Sequence, residues 1–454
     1  MNATPSPRSV KRRAFLITLA VLVLVAVVAL FLVLGPGPMA FSKGRKVDLT
    51  DYHAVNPSGV PAALAQASLI KKGEYLAKAA DCMVCHTAKG GEAYAGGFAF
   101  VLPFGTLYST NITPDKASGI GSYTDAQFLA AVHRGVRQDG ANLYPAMPYT
   151  SYTYMTDADA LAIKAYLFSL APSASPNKGN ALAFPFNQRW AMGIWSALFS
   201  ANERFKPDAE KSAEWNRGAY VAEALAHCGE CHTPRNLAFA LNNRKKFGGA
   251  LTAGWRAYNI SSDKSGGVGA WHDEELIAYL MRGHAAGHGS AAGPMGEAVD
   301  ESFSQLVPED VHAIVVYLRS VPSSTASDLP ALAPAAPDSH KEGLATAESR
   351  GKQVYEGACV SCHGWSGTSD ISEYATLTGA RAVNDPHGTN VAQIVLAGMK
   401  RSSPAGVTEM PGFGAAYSDS DIAAVANYVT TRFGSSASNL SAAEVAKMRR
   451  ETAQ

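Results

Sequence analysis

All six cysteines of this 454-residue chain fall in three copies of one pattern. The copies are Cys82-Met83-Val84-Cys85-His86, Cys228-Gly229-Glu230-Cys231-His232 and Cys359-Val360-Ser361-Cys362-His363. CxxCH is the attachment signature of c-type haem. On a helical turn residues i, i+3 and i+4 share a face, so two thiols can form thioethers to one porphyrin while the adjacent imidazole reaches its iron. A zinc site would need four ligands and no obligatory histidine, and a thioredoxin-like redox pair would not recur three times. The sequence therefore predicts three covalently bound haem c groups, attached through Cys82, Cys85, Cys228, Cys231, Cys359 and Cys362, with His86, His232 and His363 as axial ligands.

An internal repeat surrounds these motifs. A helical approach carries Gly73, Gly218 or Gly351, lying nine, ten and eight residues before the first cysteine, with Tyr75, Tyr220 and Tyr355 just beyond. After the first two motifs, Asn111-Ile112-Thr113-Pro114-Asp115 and Asn259-Ile260-Ser261-Ser262-Asp263 lead to helix patterns closing at Gly135 and Gly283. A shorter version runs from Asn390 to Gly398. Twelve residues beyond each closing glycine stand Met147, Met295 and Met410. Methionine sulfur is a soft iron ligand, and His/Met ligation belongs to electron-transfer cytochromes. These three are the predicted second ligands, against the gap-filling role methionine usually has. For the second haem, His284 and His288 offer a bis-His alternative, although a Gly-rich loop would turn them toward solvent. His133 and Met281, aligned two residues before their closing glycines, are poor ligand candidates.

Each methionine is followed by a helix with one apolar stripe: Leu161, Ala165 and Phe168 after Asp157; Val311, Ile314, Val315 and Leu318 after Pro308; Ile422, Val425 and Val429 after Ser418-Asp419. Tyr166, Tyr317 and Tyr428 stand near their ends. No long stretch alternates at period two, so little sheet is expected.

The apolar run from Ala14 to Leu34, broken only by Thr18 and flanked by basic residues, predicts a membrane anchor, with a cleaved signal as the alternative. The expected fold is all-α, one N-terminal transmembrane helix followed by three tandem haem domains. Residues 1–47 form the cytoplasmic N-terminus and anchor, 66–170, 211–321 and 347–434 the three domains, and 435–454 a short exposed helical tail. Between them lie 171–210, a linker with an aromatic apolar helix, and the Pro/Ala-rich linker 322–346. The helix, near Phe184 to Phe199, is read as an interdomain element, with a membrane-surface or quinone-adjacent role as the alternative. All seven charges before Asp48 are basic, leaving 32 cations against 38 acids in the body. A mildly acidic body argues against nucleic-acid binding.

In order, this chain resembles tandem class I cytochrome c domains, whose first and last helices cross at a glycine against an aromatic; the likeness covers nearly all of residues 66–434. With Arg217-Gly218-Ala219-Tyr220 and Cys231-His232-Thr233-Pro234-Arg235-Asn236, it is similar to the triheme cytochrome c subunits of bacterial membrane-bound periplasmic alcohol and aldehyde dehydrogenases. The resemblance implies a chain that is not itself an enzyme, relaying electrons from a catalytic partner to ubiquinone in the inner membrane, with its haem domains facing the periplasm. That partner would hold molybdopterin alongside an iron-sulfur subunit, or pyrroloquinoline quinone; the anchor-like N-terminus tilts toward the molybdopterin branch. No GxGxxG, P-loop or HExxH motif points to catalysis by this chain. The alternatives are a cytochrome donating to a terminal oxidase, or a haem enzyme such as a peroxidase, which needs an open iron position.

Overall fold

The computed structural model describes residues 7–35, 37, 39, 57–324, 347–403 and 406–452. Most of the predicted 322–346 linker, and the basic residues Lys43, Arg45 and Lys46, lie outside the described residues.

In chain order the elements are α1 (Pro7–Leu34), α2 (Leu69–Ala79), α3 (Cys82–Cys85), β1 (Ala99–Leu102), β2 (Gly105–Tyr108), α4 (Asp125–Arg134), α5 (Tyr149–Tyr152), α6 (Asp157–Leu167), β3 (Ala181–Leu182) and α7 (Ala191–Phe199). The second module holds α8 (Ala213–Tyr220), α9 (Gly229–His232), β4 (Ala250–Thr252), β5 (Trp255–Ala257), α10 (Asp273–Arg282), β6 (His284–Ala285), β7 (Gly289–Ser290), α11 (Gly293–Glu301) and α12 (Pro308–Ser320). The third comprises α13 (Ala347–Ala358), α14 (Val360–His363), α15 (Thr389–Ala397), β8 (Met399–Ser403), β9 (Gly406–Met410) and α16 (Asp419–Phe433), with α17 (Ala442–Thr452) after it.

Two parts of the expected architecture are corrected. The chain is not all-α: β1-β2-β3, β4-β5, β6-β7 and β8-β9 form four small antiparallel sheets. Their strands are two to five residues long, too short for a period-two pattern to stand out from the loops around them. The run 14–34 is helical, but as part of α1, whose opening turns carry Arg8, Lys11, Arg12 and Arg13. Among the described residues no helix is long and apolar enough to cross a membrane, so the expected transmembrane helix is not retained.

Helix ends follow local chemistry. Thr124 and Ser418 close capping boxes with Gln127 and Asp421, satisfying otherwise orphan N–H groups. Pro308 occupies the first turn of α12, where its missing donor costs nothing. Gly135 and Gly283 end α4 and α10 in the left-handed region at φ 62° and 70°, where glycine carries no Cβ penalty.

Within each module the first helix crosses the last, α2 on α6, α8 on α12 and α13 on α16. A Cβ on Gly73 would lie 1.9 Å from the Ala162 carbonyl oxygen and 2.9 Å from Tyr166 Cβ. The same holds at Gly218, 1.9 Å from Ala313 O and 2.9 Å from Tyr317, and at Gly351, 2.2 Å from Ala424 O and 2.7 Å from Tyr428. Only glycine lets the backbones approach so closely, and the Tyr near the end of each last helix covers it. The extra residue between Gly218 and Cys228 is taken up by a single π turn, Val221–Leu225, directly after α8.

One apolar core runs through the first two modules and a second fills the third. The stripes on α12 and α16 are buried as expected, Val311, Ile314, Val315 and Leu318 in one and Ile422, Val425 and Val429 in the other. On α6 the buried face is instead Asp159, Ala160, Ile163 and Leu167. That helix is covered on two sides, by α2 and by the second module, so its burial does not follow a single stripe. The C-terminal tail is helical but not merely exposed, since Leu440, Val445 and Met448 join the third core.

Candidate haem sites

The residue before each NI block supplies the acceptor that orients the motif histidine. His86 Nδ1 lies 2.7 Å from Thr110 O and His232 Nδ1 2.6 Å from Tyr258 O. In the third module His363 Nδ1 lies 2.6 Å from Ala375 O. A carbonyl accepts only, so Nδ1 carries the proton in each ring and the lone pair of Nε2 is the one a metal would take. Burial pushes all three imidazoles below their ordinary pKa, keeping them neutral as metal ligation requires.

Asn111 and Asn259 then tie the acceptor loops down. Each caps its own turn, with Thr113 N donating to Asn111 Oδ1 at 2.9 Å and Ser261 N to Asn259 Oδ1 at 2.8 Å. Each also donates through Nδ2 to the strap beyond its module's last helix, at Ser173 O (2.8 Å) and Ser324 O (2.7 Å). The start of the predicted 171–210 linker is thus packed onto the loop that holds His86.

The six cysteines form no disulfides. Burial pushes the thiols of Cys82 and Cys228 up to about 12 and those of Cys231 and Cys359 to about 11. Burial also raises Cys85. Among the described residues there is no group of three or more His, Cys, Asp or Glu that could hold a metal ion. Paired neutral thiols on one helical turn beside a preoriented imidazole fit a porphyrin with two reactive vinyl groups.

Met147, Met295 and Met410 are half-buried and packed against the cores. Their settings differ. Met147 sits in the turn before α5, Met295 in the first turn of α11, and Met410 ends β9 across from Met399. The competing histidines of the second module are engaged and are not solvent-facing. His284 is buried, with Nδ1 2.9 Å from Ser290 Oγ and its ring against Tyr374. His288 stacks on Trp271 at 3.7 Å and places Nε2 3.2 Å from Glu275. His133 is buried with Nδ1 2.9 Å from Tyr152 O, and burial, reinforced by Arg204, holds it at about 4.

Sequence reasoning missed the groups that join the modules. Tyr75 donates to Asp310 Oδ2 at 2.6 Å, and Tyr220 donates to Asp159 in a pseudo-twofold exchange between first and second modules. Arg217 adds a fork onto Asp310, with Nε 2.7 Å from Oδ1. Around the sites, Glu230, inside the second motif, accepts from Thr150 (2.9 Å) and Ser151 (3.2 Å), just beyond Met147. Asp81, before the first motif, is left-handed at φ 53° with a buried Oδ1 that has no partner; burial and the nearby Glu297 and Glu301 raise it to about 7. The RGAY phrase was legible in the sequence, but its partners Asp310 and Asp159, 93 and 61 residues away, were not.

The cytochrome c family matches residues 70–171 and 348–432. The chain is similar to the fructose dehydrogenase cytochrome subunit of Gluconobacter japonicus, 40% identical over 84% of this chain and 82% of that one. It is also similar to the gluconate 2-dehydrogenase cytochrome c subunit of Pantoea cypripedii, 37% identical over 85% of this chain and 90% of the relative. The cytochrome c subunit of the quinone-dependent alcohol dehydrogenase of Gluconacetobacter polyoxogenes is 35% identical over 85% of each chain. The chain belongs to the family of electron-transferring cytochrome c subunits of dehydrogenase complexes.

Proposed function

We propose that this chain is a triheme relay that accepts electrons from a catalytic dehydrogenase subunit and delivers them to ubiquinone, with its haem modules on the periplasmic side. The observation that carries the haem count is the thrice-repeated arrangement of a CxxCH turn whose histidine Nδ1 is bonded to a backbone carbonyl. Cys82, Cys85, Cys228, Cys231, Cys359 and Cys362 attach the porphyrins, with His86/Met147, His232/Met295 and His363/Met410 as axial pairs. Bound haem supplies reversible one-electron chemistry between ferrous and ferric iron.

The chain's own residues do the rest. The carbonyls of Thr110, Tyr258 and Ala375 fix ring orientation, and a bound haem held by both a histidine and a methionine would have no open iron position, which favours relay over peroxidase chemistry. Exposed Phe184, Trp190, Ile194 and Leu198, at and around α7, give the linker an apolar surface suited to a lipophilic acceptor. The catalytic partner is proposed to carry molybdopterin with an iron-sulfur subunit, or pyrroloquinoline quinone, and to oxidise an aldehyde or an alcohol.

Purification with the native partner tests this. Haem and iron analysis should give three haems per chain, all low-spin in the ferric state. Reduction by the partner's substrate should be followed by reoxidation on adding a short-chain ubiquinone. Fewer than three haems, or carbon monoxide binding to the reduced protein, would overturn the relay.

A further inference from the structure

The segment that carries Met295 is gripped by a side chain from the third module. Arg401, on β8, is 3% exposed. Its Nε and Nη2 donate to Ala291 O at 3.1 and 2.5 Å, and its Nη1 donates to Gly296 O at 2.8 Å and to Asp300 Oδ2 at 2.6 Å. The four acceptor contacts bracket Met295 from four residues before it to five after it. Gly296 is needed for the fit, because a Cβ there would stand 1.9 Å from Arg401 Nη2. Gly283, which closes α10, also lies against this side chain, its Cβ position 3.0 Å from Nε.

A buried cation among backbone carbonyls is stable only when its donors are matched. A planar fork with five N–H groups matches three separate acceptors where a lysine could not. The third module also touches the proximal side of the same site. Arg381 stacks over Tyr258, whose carbonyl holds His232, and Arg256, two residues before Tyr258, pairs with Asp385 at 3.0 Å. The first module has a parallel, since Glu230 of the second module holds the hydroxyls just beyond Met147.

We infer that Arg401 is a positioning residue for the second haem, an inter-module brace that holds the α11 turn so that Met295 stays on the iron. The inference rests on Met295 being that ligand. Without the brace, the first turn of α11 would lose its anchor, and Met295 would be displaced more readily by an added base.

The test uses the full-length haem-loaded protein. Its readouts are haem content, the methionine-sulfur-to-ferric-iron charge-transfer band, and titration with imidazole. Met295→Leu should remove about one third of the band, the share of one haem in three. Arg401→Gln should keep three haems yet lose a similar share, and imidazole should bind one haem at a concentration lowered at least about tenfold. Arg401→Lys should fall between. If the glutamine variant does not accumulate, Asp300→Asn carries the test, because that carboxylate is 36% exposed and its loss leaves the carbonyl contacts in place; imidazole should then bind a few-fold more readily. A full band in Met295→Leu overturns the ligand assignment itself. A reduced band in Met295→Leu beside unchanged band and imidazole affinity in the Arg401 and Asp300 variants overturns the brace alone.

Discussion

The first two modules and the third share the glycine crossing but use the residues around it in opposite ways. Tyr75 and Tyr220 reach out of their own modules to Asp310 and Asp159, whereas Tyr355 turns inward, donating to Gly364 O at 2.6 Å and packing on Tyr428 and Phe433. One core therefore serves modules one and two, and a separate one serves module three. The same repeated position is an interface group in one context and a core group in the other. What decides is whether another module's acidic helix start, at Asp159 or Asp310, faces it.

Breaking the crossing itself should have the largest effect. In Gly218→Ala the new methyl meets a backbone oxygen that cannot move aside, so α8 and α12 must part, costing about 3 kcal/mol or more. Because the core is shared, calorimetry should show modules one and two losing stability together. Gly351→Ala should instead lower only the transition of module three. A single cooperative shift in both variants would show that the two cores are not separate units.

Next in size is Arg217→Ala. The Arg217 and Asp310 side chains are 13% and 4% exposed, so truncation leaves a buried carboxylate whose remaining side-chain donor among the described residues is Tyr75. Removing one partner of a buried pair costs about 3–5 kcal/mol. The loss should appear in the transition of the first two modules, leaving that of the third in place.

Much of this was legible in the sequence because it is local. The CxxCH turns, the crossing glycines with their late tyrosines, and the helix limits at Asp125, Asp273, Pro308 and Asp419 follow from spacings of three or four residues and from capping chemistry. What was not legible is non-local or too short. The hairpins around Gly105 and Gly254 have strands of three or four residues on each side, and nothing near Arg401 in sequence announces that it will be buried against α11. The burial of His284 and His288 comes from Tyr374 and Trp271, one of them in the next module.

A pH difference should sharpen the comparison further. Only the first module has a histidine two residues before its closing glycine; the second has Met281 there and the third Leu396. His133 is 1% exposed and held at about 4 by burial and Arg204, with Asp157 opposing from 3.3 Å. Its folded pKa lies below the unfolded value of about 6.5, so the unfolded chain takes up the extra proton. The stability it permits is complete above about pH 6.5 and drains away as pH falls toward 4, by about 3 kcal/mol at most. Melting between pH 7 and 4 should show the shared transition of modules one and two falling faster than that of module three. His133→Met, borrowing the residue of the second module, should flatten that slope.

The smallest effect is expected where the residue preceding the crossing glycine is exposed. Arg350 occupies in the third module the place that Arg217 holds in the second, and it too meets a carboxylate at the start of the last helix, Asp421 Oδ1 at 2.6 Å. It does so with 56% of its side chain in solvent and within its own module. The guanidinium and Ser418 hold Asp421 down to about 2, yet water screens the pair and supplies alternative partners once the arginine is gone. Arg350→Ala should therefore shift the third module's melting little, and less still in high salt, while Arg217→Ala stays severe in any salt. Equal penalties for the two would mean that burial between modules is not what separates them, and the contrast drawn from Tyr75, Tyr220 and Tyr355 would lose its physical basis.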